Sequence, residues 1–505
     1  MSHEAPRSDD EIGLDPANWP AFRELSHRML DDTLDAMEHV RERGAWRPFP
    51  AAAQAALARP LPREGSDAAA VYEEFRELIQ PYATGNTHPR FWGWVNGTGT
   101  PITVLAELLA AGMNPNTASF DQSAVHVERI VLRWLGEALG YPGGGRAADC
   151  TGLLLSGGSM ANLLALAVGR HARAPFDVRG EGLGEQEPLV LYASMETHSS
   201  VEKAAELLGL GRRGYRRIPV DGDHRIDVAA LRAAIAADRD HGLAPLAVVG
   251  NCGTVNTGAV DDLDALADVC AEERLWFHVD GAFGAFAALS PKLRPLVRGL
   301  ERADSLACDL HKWMYFPFEA GCLLVRDGAV HRDTFTVVPA YLQTVSGGVA
   351  SVADELRFSN LGIQLTRSFR ALKVWFGLRT AGVDRHARLV EQNVAQAAHL
   401  AARVQESEEL ELVAPVPLNV VCYRYRAAGL DEAALNRLNE RLLVRLQEDG
   451  IGVPSSTVLG GRFCVRVAIT NHRTRRGDLD ALVEASLRLG RELAPSAERS
   501  TVAAV

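Results

Sequence analysis

The middle of the chain, residues 150–327, alternates short apolar runs with segments of helical periodicity, and this pattern constrains the fold most. In seven short runs, apolar residues follow one another consecutively rather than at every second position. They are residues 153–156, 189–194, 216–220, 246–253, 275–280, 305–310 and 321–326. Helix-like segments lie between them at 159–170, 198–209, 227–238 and 261–273. Strands that are buried on both faces and joined by helices form a mostly parallel sheet, so we predict an α/β fold.

The regions on either side of this pattern predict smaller parts. Residues 1–95 contain helical periodicity and a proline-rich connector but little apolar mass, so we expect a helical arm exchanged between the subunits of a dimer. Residues 96–368 are predicted to form the large domain, and 369–491 a small C-terminal α+β domain. Residues 492–505 are predicted to be a disordered tail.

Composition excludes several classes of protein. The 53 Lys and Arg against 64 Asp and Glu give a net charge of −11, which argues against nucleic-acid and anionic-membrane partners. No apolar span is long enough for a transmembrane helix, and the polar start does not resemble a signal peptide. The seven cysteines form no CxxC pair and no zinc-site spacing, so we expect a reduced, cytoplasmic protein without a metal site.

Four polar features stand where the predicted strands end. The first is a turn, Ser156-Gly157-Gly158-Ser159, between a strand and a helix. Free backbone N–H groups at the start of the helix, together with the Ser159 hydroxyl, can bind a phosphate. A glycine turn capped by the serine is the alternative interpretation.

The other three features are Asp280, His198 and the Asp309–Lys312 segment. A carboxylate at the end of a buried strand needs a cation or several donors, unless Asp280 only caps a helix. His198 opens a helix, where it can stack on an aromatic ligand or serve as a cap. Lys312 has apolar neighbours and is a candidate nucleophile, with a surface lysine as the alternative.

These four features share one explanation. Pyridoxal phosphate (PLP) requires an anion site, a ring that stacks on its face, a carboxylate for its pyridine nitrogen and a lysine for its aldehyde. In a doubly wound sheet all four features would gather at the carboxyl edge. The sequence therefore predicts a PLP site.

Seven segments then identify a resemblance, in order from about residue 89 to residue 466. They are HPRFWGWVN, HVERIVLRWLGEALGYP, SGGSMANLLAL, THSSVEKA, HVDGAFG, ADSLACDLHKW and RSFRALKVWFGLR. The chain resembles the group II PLP-dependent amino acid decarboxylases, and most of all their aromatic-L-amino-acid branch. This resemblance implies the PLP-dependent transferase fold (fold type I), a seven-stranded sheet and a homodimer whose site lies near the subunit interface.

The resemblance also implies roles for residues. Lys312 would bind the cofactor covalently, Asp280 would pair with the pyridine nitrogen, and His198 would stack on the ring opposite the small Ala282. The phosphate would be held by Ser159, by backbone N–H groups near Gly158 and Met160, and by His311. Asp309 is also expected at the cofactor, where a carboxylate near the phosphate would have to be offset by hydrogen-bond donors. Asp309 stands where the aromatic-amino-acid branch usually has Asn, and Val255 where it has Thr.

Tyr341 lies in a segment without clear periodicity that we expect to be a loop. By position it matches the tyrosine that, in this family, protonates the substrate Cα after CO2 has left. Related aldehyde synthases have Phe at this position. The resemblance therefore implies that Tyr341 is catalytic and that the product is an amine.

The substrate pocket is predicted from RFWGWVNG and its surroundings. Trp92 and Trp94 match aromatic pocket residues of the branch, although they can equally be core residues. Asn96, Asn114 and Asn116 would make the pocket more polar. Alternative clamps for a substrate carboxylate are Arg90, Arg367 and Arg370.

The expected activity is decarboxylation of an L-amino acid, with an aromatic side chain, to the amine and CO2. A PLP-dependent aldehyde synthase, aminotransferase or lyase of the same fold is the alternative. A non-catalytic binding partner is disfavoured because Lys312, Asp280, His198 and Tyr341 are all present.

Overall fold

A computed structural model describes residues 13–142, 150–184, 186–337 and 357–494. The chain divides into two compact units, one up to Arg43 and over Arg47–Thr84, the other over Gly44–Trp46 and from Gly85 onwards. The first unit contains the helices α1 (Trp19–Glu38), α2 (Ala51–Leu57) and α3 (Ala68–Leu78). None of the residues of α1 is buried.

The second unit contains every strand found in the described residues. They are β1 (Phe91–Trp92), β2 (Thr151–Leu155), β3 (Leu189–Ser194), β4 (Tyr215–Ile218), β5 (Ala244–Asn251), β6 (Trp276–Asp280), β7 (Ser305–Asp309), β8 (Gly321–Val325), β9 (Leu410–Leu412), β10 (Val420–Tyr425), β11 (Val453–Leu459) and β12 (Arg462–Ala468). Its helices are α4 (Pro101–Met113), α5 (Ser123–Leu139), α6 (Gly158–Arg173), α7 (Val178–Glu181), α8 (Ser199–Leu207), α9 (Val228–Asp240), α10 (Leu263–Glu273), α11 (Gly328–Phe335), α12 (Arg370–Ala381), α13 (Val383–Gln405), α14 (Glu432–Glu448) and α15 (Arg476–Leu493).

The predicted seven-stranded sheet is confirmed, in the order β2-β8-β7-β6-β5-β3-β4. Its five strands from β7 to β4 pair in parallel, whereas β8 runs antiparallel to both of its neighbours. Nearly every residue of these strands is buried, as continuous apolar runs predict. β5 begins and ends two residues earlier than expected, because Ala244 and Pro245 already pair with β3.

Helix α6 leads away from β2 and packs against β5, β6, β7 and β8. Helix α6 can approach β6 closely because Gly169 faces the indole of Trp276. A Cβ added to Gly169 would lie 2.7 Å from Cδ1 of that indole. This contact sets the distance between the second half of α6 and the first residue of β6.

A second, smaller sheet has the order β1-β11-β12-β10-β9. Helices α13, α14 and α15 pack against it and enclose a second apolar core around Leu442, Val465 and Leu482. Strand β1 pairs in parallel with β11, so residues 91–92 join this sheet although they fall within the range 1–95 predicted as the arm. The boundaries at residues 95 and 368 stay predictions. Within the described residues no helix has the length and apolar character needed to cross a membrane.

Candidate active site

A cavity of about 560 Å³ opens at the carboxyl edge of the seven-stranded sheet. Most of the residues predicted for the site line it. They are Trp94, Asn96, Gly158, Ser159, Met160, His198, Asp280, Ala282, Asp309, His311 and Lys312. The fold therefore brings together segments that are more than 200 residues apart in sequence, as the strand-end rule predicts.

Lys312 follows β7 and starts a tightly buried turn. Its Nζ lies 2.7 Å from Oδ2 of Asp309, and its side chain is 24% exposed against 2% for the aspartate. The other carboxylate oxygen of Asp309, Oδ1, is buried without a hydrogen-bond partner among the described residues. Trp313 and Met314, which follow the lysine, are buried in the main core. The core packing of Trp313 and Met314 therefore fixes the position of the Lys312 amine at the cavity.

Asp280 is the last residue of β6, and its carboxylate has two donors. Asn162 Nδ2 donates to Oδ2 at 2.8 Å, and the backbone N–H of Ala282 donates to Oδ1 at 3.1 Å. The side chain is thus held in one orientation at the cavity wall. A buried carboxylate in this setting can pair with a cationic group of a ligand.

His198 caps the N-terminus of α8. Its Nδ1 accepts from the backbone N–H of Ser200 and lies 2.8 Å from the Ser200 hydroxyl. Burial lowers the pKa of His198 below its usual value, while the nearby charge of Asp280 opposes that shift. The imidazole at the cavity is therefore neutral at neutral pH.

The His311 ring, like that of His198, accepts a backbone hydrogen bond at Nδ1. Its Nδ1 accepts from the backbone N–H of Ala320 at 3.0 Å, and its ring centroid lies 4.7 Å from that of Phe318. Burial lowers the pKa of His311, partly offset by Asp309. Nε2 remains directed toward Asp309, with 3.9 Å between Nε2 and Oδ2.

The glycine turn leaves room beside these groups. A Cβ on Gly158 would lie 2.9 Å from Asp309 Oδ2, and a Cβ on Gly157 would lie 3.3 Å from Cε1 of His311. Only glycine keeps this approach open, and the N–H groups at the start of α6 lie next to it. A space with N–H donors, an amine, an imidazole and an anchored carboxylate fits the polar groups of PLP.

Two predicted substrate residues lie elsewhere. Trp92 is 1% exposed in the second core, where its indole N–H donates to Thr474. Asn116 uses its Oδ1 to accept from the backbone N–H groups of Ala118 and Arg367. Neither side chain lines the cavity, because each is held by hydrogen bonds to other parts of the fold. Asn114 is the left-handed C-cap residue of α4.

The three arginines weighed as carboxylate clamps are already paired. Arg367 forms an ion pair with Glu128 in the core. Arg90 pairs with Asp478 at 3.0 Å, and Arg370 with Glu319 at 2.6 Å. None of the three lines the cavity. Tyr341 lies outside the described residues.

Three buried polar residues of the cavity wall were not predicted. Asn162 and Ser200 connect Asp280 to His198, and Asn251 donates to the hydroxyl of Thr197 at 2.9 Å. Asn251 ends β5, so the strand-end rule that found Asp280 could also have found it. Asn162 interrupts the apolar face of α6, and a lone amide at such a position is the available signal.

Arg466 attaches the smaller sheet to the cavity wall. Its guanidinium donates to the backbone carbonyls of Trp94, Val255 and Asn256. Two of these residues, Trp94 and Val255, line the cavity. Strand β12 thereby holds the part of the cavity wall that Trp94 and Val255 form.

Known proteins resemble this chain over most of its length. A family model described as the pyridoxal-dependent decarboxylase conserved domain matches residues 50–426. An aromatic-L-amino-acid decarboxylase of Bacillus atrophaeus is 33% identical over 90% of this chain and 92% of its own length. A histidine decarboxylase of Drosophila melanogaster is 34% identical over 92% of this chain and 54% of its own length. The crystal structure of Oryza sativa TDC with PLP and tryptamine superposes with a TM-score of 0.87 at 28% identity, covering 96% of this chain and all of that one.

Proposed function

The chain belongs to the pyridoxal-dependent decarboxylase family, and from this we propose that its cavity converts an aromatic L-amino acid into the amine and CO2. Its cofactor is PLP and its reaction class is that of a carboxy-lyase. The observation that carries the proposal is the placement of Lys312 and Asp280 at the ends of the adjacent strands β7 and β6, in one cavity.

Bound PLP supplies an electron sink for the charge that remains when a carboxylate leaves as CO2. The chain supplies the remaining functions. Asp280 offers a fixed anion for a protonated ring nitrogen, and its two hydrogen bonds keep it from turning away. Lys312 offers the amine, and the glycine turn with Ser159 offers donors for the phosphate.

An aromatic substrate is supported by the cavity wall and by the relatives. Trp94 and Phe318 line the cavity and are 58% and 53% exposed, so two aromatic surfaces are available for contact. Their π-faces suit an aromatic side chain better than an acidic one, which would need a cation. The relatives named above act on aromatic amino acids or on histidine. Asn96 adds a polar group suited to a hydroxylated or imidazole ring.

A CO2-release screen tests this proposal. The holoprotein is incubated with aromatic, imidazole and acidic L-amino acids, and CO2 and amine are quantified together. We expect equal amounts of both from at least one aromatic amino acid, and none from Lys312→Ala at an unchanged melting temperature. Release of CO2 from acidic amino acids alone, or none at all with PLP bound, would show that the proposal is wrong.

We also propose that Tyr341 protonates the substrate Cα, as the resemblance implies. Without that proton donor, the aldehyde-synthase outcome becomes accessible. In the presence of O2, which acts as the oxidant, Tyr341→Phe should therefore shift the product from amine toward aldehyde, ammonia and hydrogen peroxide. Unchanged amine output would remove Tyr341 from the reaction.

We also propose that the protein is a homodimer and that it is located in the cytoplasm. Helix α1 has no buried residue and exposes Trp19, Phe22 and Met29, which is an unusual apolar surface for a 20-residue helix. A second subunit that covers this helix would explain it. Sedimentation analysis should give twice the mass of the chain, and removal of residues 1–43 should give monomers. Cell fractionation tests the location.

A further inference from the structure

Asn162 lies at the centre of a buried hydrogen-bond network behind the cavity. It stands on α6 and is 1% exposed. Its Nδ2 lies 2.8 Å from Asp280 Oδ2 and 3.0 Å from Ser200 Oγ. Its Oδ1 lies 2.9 Å from Nε2 of His278. One amide therefore touches both the anchored carboxylate and the residue that contacts His198.

The direction of every bond in this network follows from what each group can donate. A carboxylate only accepts, so the amide nitrogen of Asn162 must face Asp280, and its second hydrogen goes to Ser200. The amide oxygen then faces His278, whose Nε2 must carry the proton. Burial lowers the pKa of His278 to about 4, so this ring holds a single proton at neutral pH.

The far end of the network agrees with this direction. His278 Nδ1 is left as an acceptor, and the Ser305 hydroxyl lies 2.9 Å from it. Ser305 Oγ in turn accepts from the indole N–H of Trp276 at 2.9 Å. Because indole nitrogen can only donate, the serine hydrogen is free to point at His278.

The near end determines the proton position on His198. Ser200 Oγ accepts from Asn162, so its own hydrogen points to His198 Nδ1 at 2.8 Å. The backbone N–H of Ser200 donates to the same nitrogen at 3.2 Å, as part of the helix cap. Two donors on Nδ1 leave the proton of a neutral ring on Nε2.

We propose that Asn162 is a positioning residue that orients the Asp280 carboxylate and, through Ser200, holds His198 as the tautomer with its proton on Nε2. This inference rests on the proposed function and deepens it. His198 lines the cavity, so the imidazole can donate a hydrogen bond there but not accept one. Loss of the amide should therefore disturb two groups of the site that do not touch each other directly.

The tautomer is measured on apoprotein labelled with 15N in its histidines. Loss of a signal pair in His198→Gln assigns the residue. We expect Nε2 protonated and Nδ1 unprotonated in the wild type. In Asn162→Ala the Ser200 hydroxyl loses the donor that directs its hydrogen at His198, while the backbone N–H of Ser200 still donates to Nδ1. The Nδ1 resonance should therefore move downfield, toward the position of a nitrogen with a single donor, and the proton should stay on Nε2. A wild-type ring protonated on Nδ1, or an Nδ1 resonance in Asn162→Ala at the wild-type position, would overturn the proposal.

Cofactor affinity is the second measurement, by titration of apoprotein with PLP and visible absorbance. Asn162→Ala removes a hydrogen bond to a charged group and should weaken binding by about 10- to 100-fold. Ser200→Ala keeps the bond from Asn162 to Asp280, so it should weaken binding less than Asn162→Ala does. Equal losses in the two variants would contradict the role of Asn162 at Asp280.

Asn439→Ala is the matched control. Asn439 is also a fully buried helical amide whose side chain bonds the backbone of Tyr425 and Leu435, and none of these three residues lines the cavity. It should lower the melting temperature while leaving the His198 tautomer and PLP affinity as in the wild type. A change of either in Asn439→Ala would show that general destabilisation causes the effect. Because the tautomer is read without substrate, absence of CO2 release would refute the proposed function and leave this measurement interpretable.

Discussion

Arg367 and Glu128 form an ion pair in the main core, and both side chains are almost completely buried. Glu128 also accepts from the backbone N–H of Leu154 at 3.0 Å, and Arg367 donates to the carbonyls of Leu154 and Thr117. The pair thus connects α5, β2 and the segment before α12. These bonds fix the end of β2, from which the glycine turn of the site continues.

At the residue scale we predict that Glu128→Gln is strongly destabilising. The guanidinium would remain buried without its counter-charge, which costs about 3–5 kcal/mol of unfolding free energy. Glu137→Gln on the same helix is the control, since its pair with Arg133 is more than half exposed. That change should cost less than about 1 kcal/mol. Urea unfolding measures both, and similar losses in the two variants would refute the distinction.

Individual side chains were predictable from sequence where chemistry and position agreed. Asp280, His198 and Lys312 are polar residues at the ends of apolar runs, and they meet in the cavity. Trp92 was not predictable, because β1 ends at this residue and Trp94 has a left-handed backbone conformation with φ 51°, so the two side chains do not share a face and only Trp94 reaches the cavity. Arg367 likewise offered no sign in the sequence that Glu128, 239 positions away, would neutralise it.

At the scale of elements, the first residue of β8 touches the glycine turn. A Cβ on Gly321 would overlap the backbone of Gly157, so the two segments approach more closely than any other residue would allow. Because β8 runs antiparallel to β2, its first residue lies beside the last residue of β2, from which the turn starts. The shape of the phosphate region therefore depends on a strand that supplies no functional side chain.

We predict that Gly321→Ala displaces the turn. It should cost about 1–3 kcal/mol of unfolding free energy and weaken PLP binding by apoprotein. Gly477→Ala is the control, because a Cβ there meets nothing within 4 Å and the residue lies in α15. That variant should bind PLP like the wild type and gain up to about 1 kcal/mol. Wild-type PLP affinity in Gly321→Ala would show that the turn tolerates the shift.

The elements themselves were largely predictable. All seven strands of the large sheet, and the helices between them, appear close to their expected positions because burial on both faces leaves continuous apolar runs. The pairing of β1 with β11 was not, since two residues carry no periodicity and their partner lies more than 350 positions away. Short strands that are set by a distant partner escape sequence patterns.

At the scale of the whole molecule, burial of histidines makes stability depend on pH. Burial lowers the pKa values of His278, His331 and His472 to about 4. Their contribution to stability is complete above the unfolded value near 6.5 and is lost as the pH falls toward 4. Asp261 acts in the opposite direction, because burial raises its pKa to about 6 and acid favours its folded form.

We therefore predict a net loss of stability on acidification from pH 7.5 to 5. Each histidine removes on the order of 2 kcal/mol over this range, while Asp261 returns on the order of 1 kcal/mol. The unfolding free energy in urea at the two pH values measures the difference. His331→Gln removes one titrating ring outside the cavity and should make the loss smaller. An equal loss in that variant would contradict the assignment.

The net charge of −11 describes the whole molecule and says nothing of the site, where local donors and Lys312 set the binding. The central claim is that this cavity is the PLP site of a decarboxylase. The most direct test is borohydride reduction of the holoprotein, followed by digestion and mass spectrometry. We predict a pyridoxyl group on Lys312 alone. A label on another lysine, or an unlabelled protein that still releases CO2, would contradict the account.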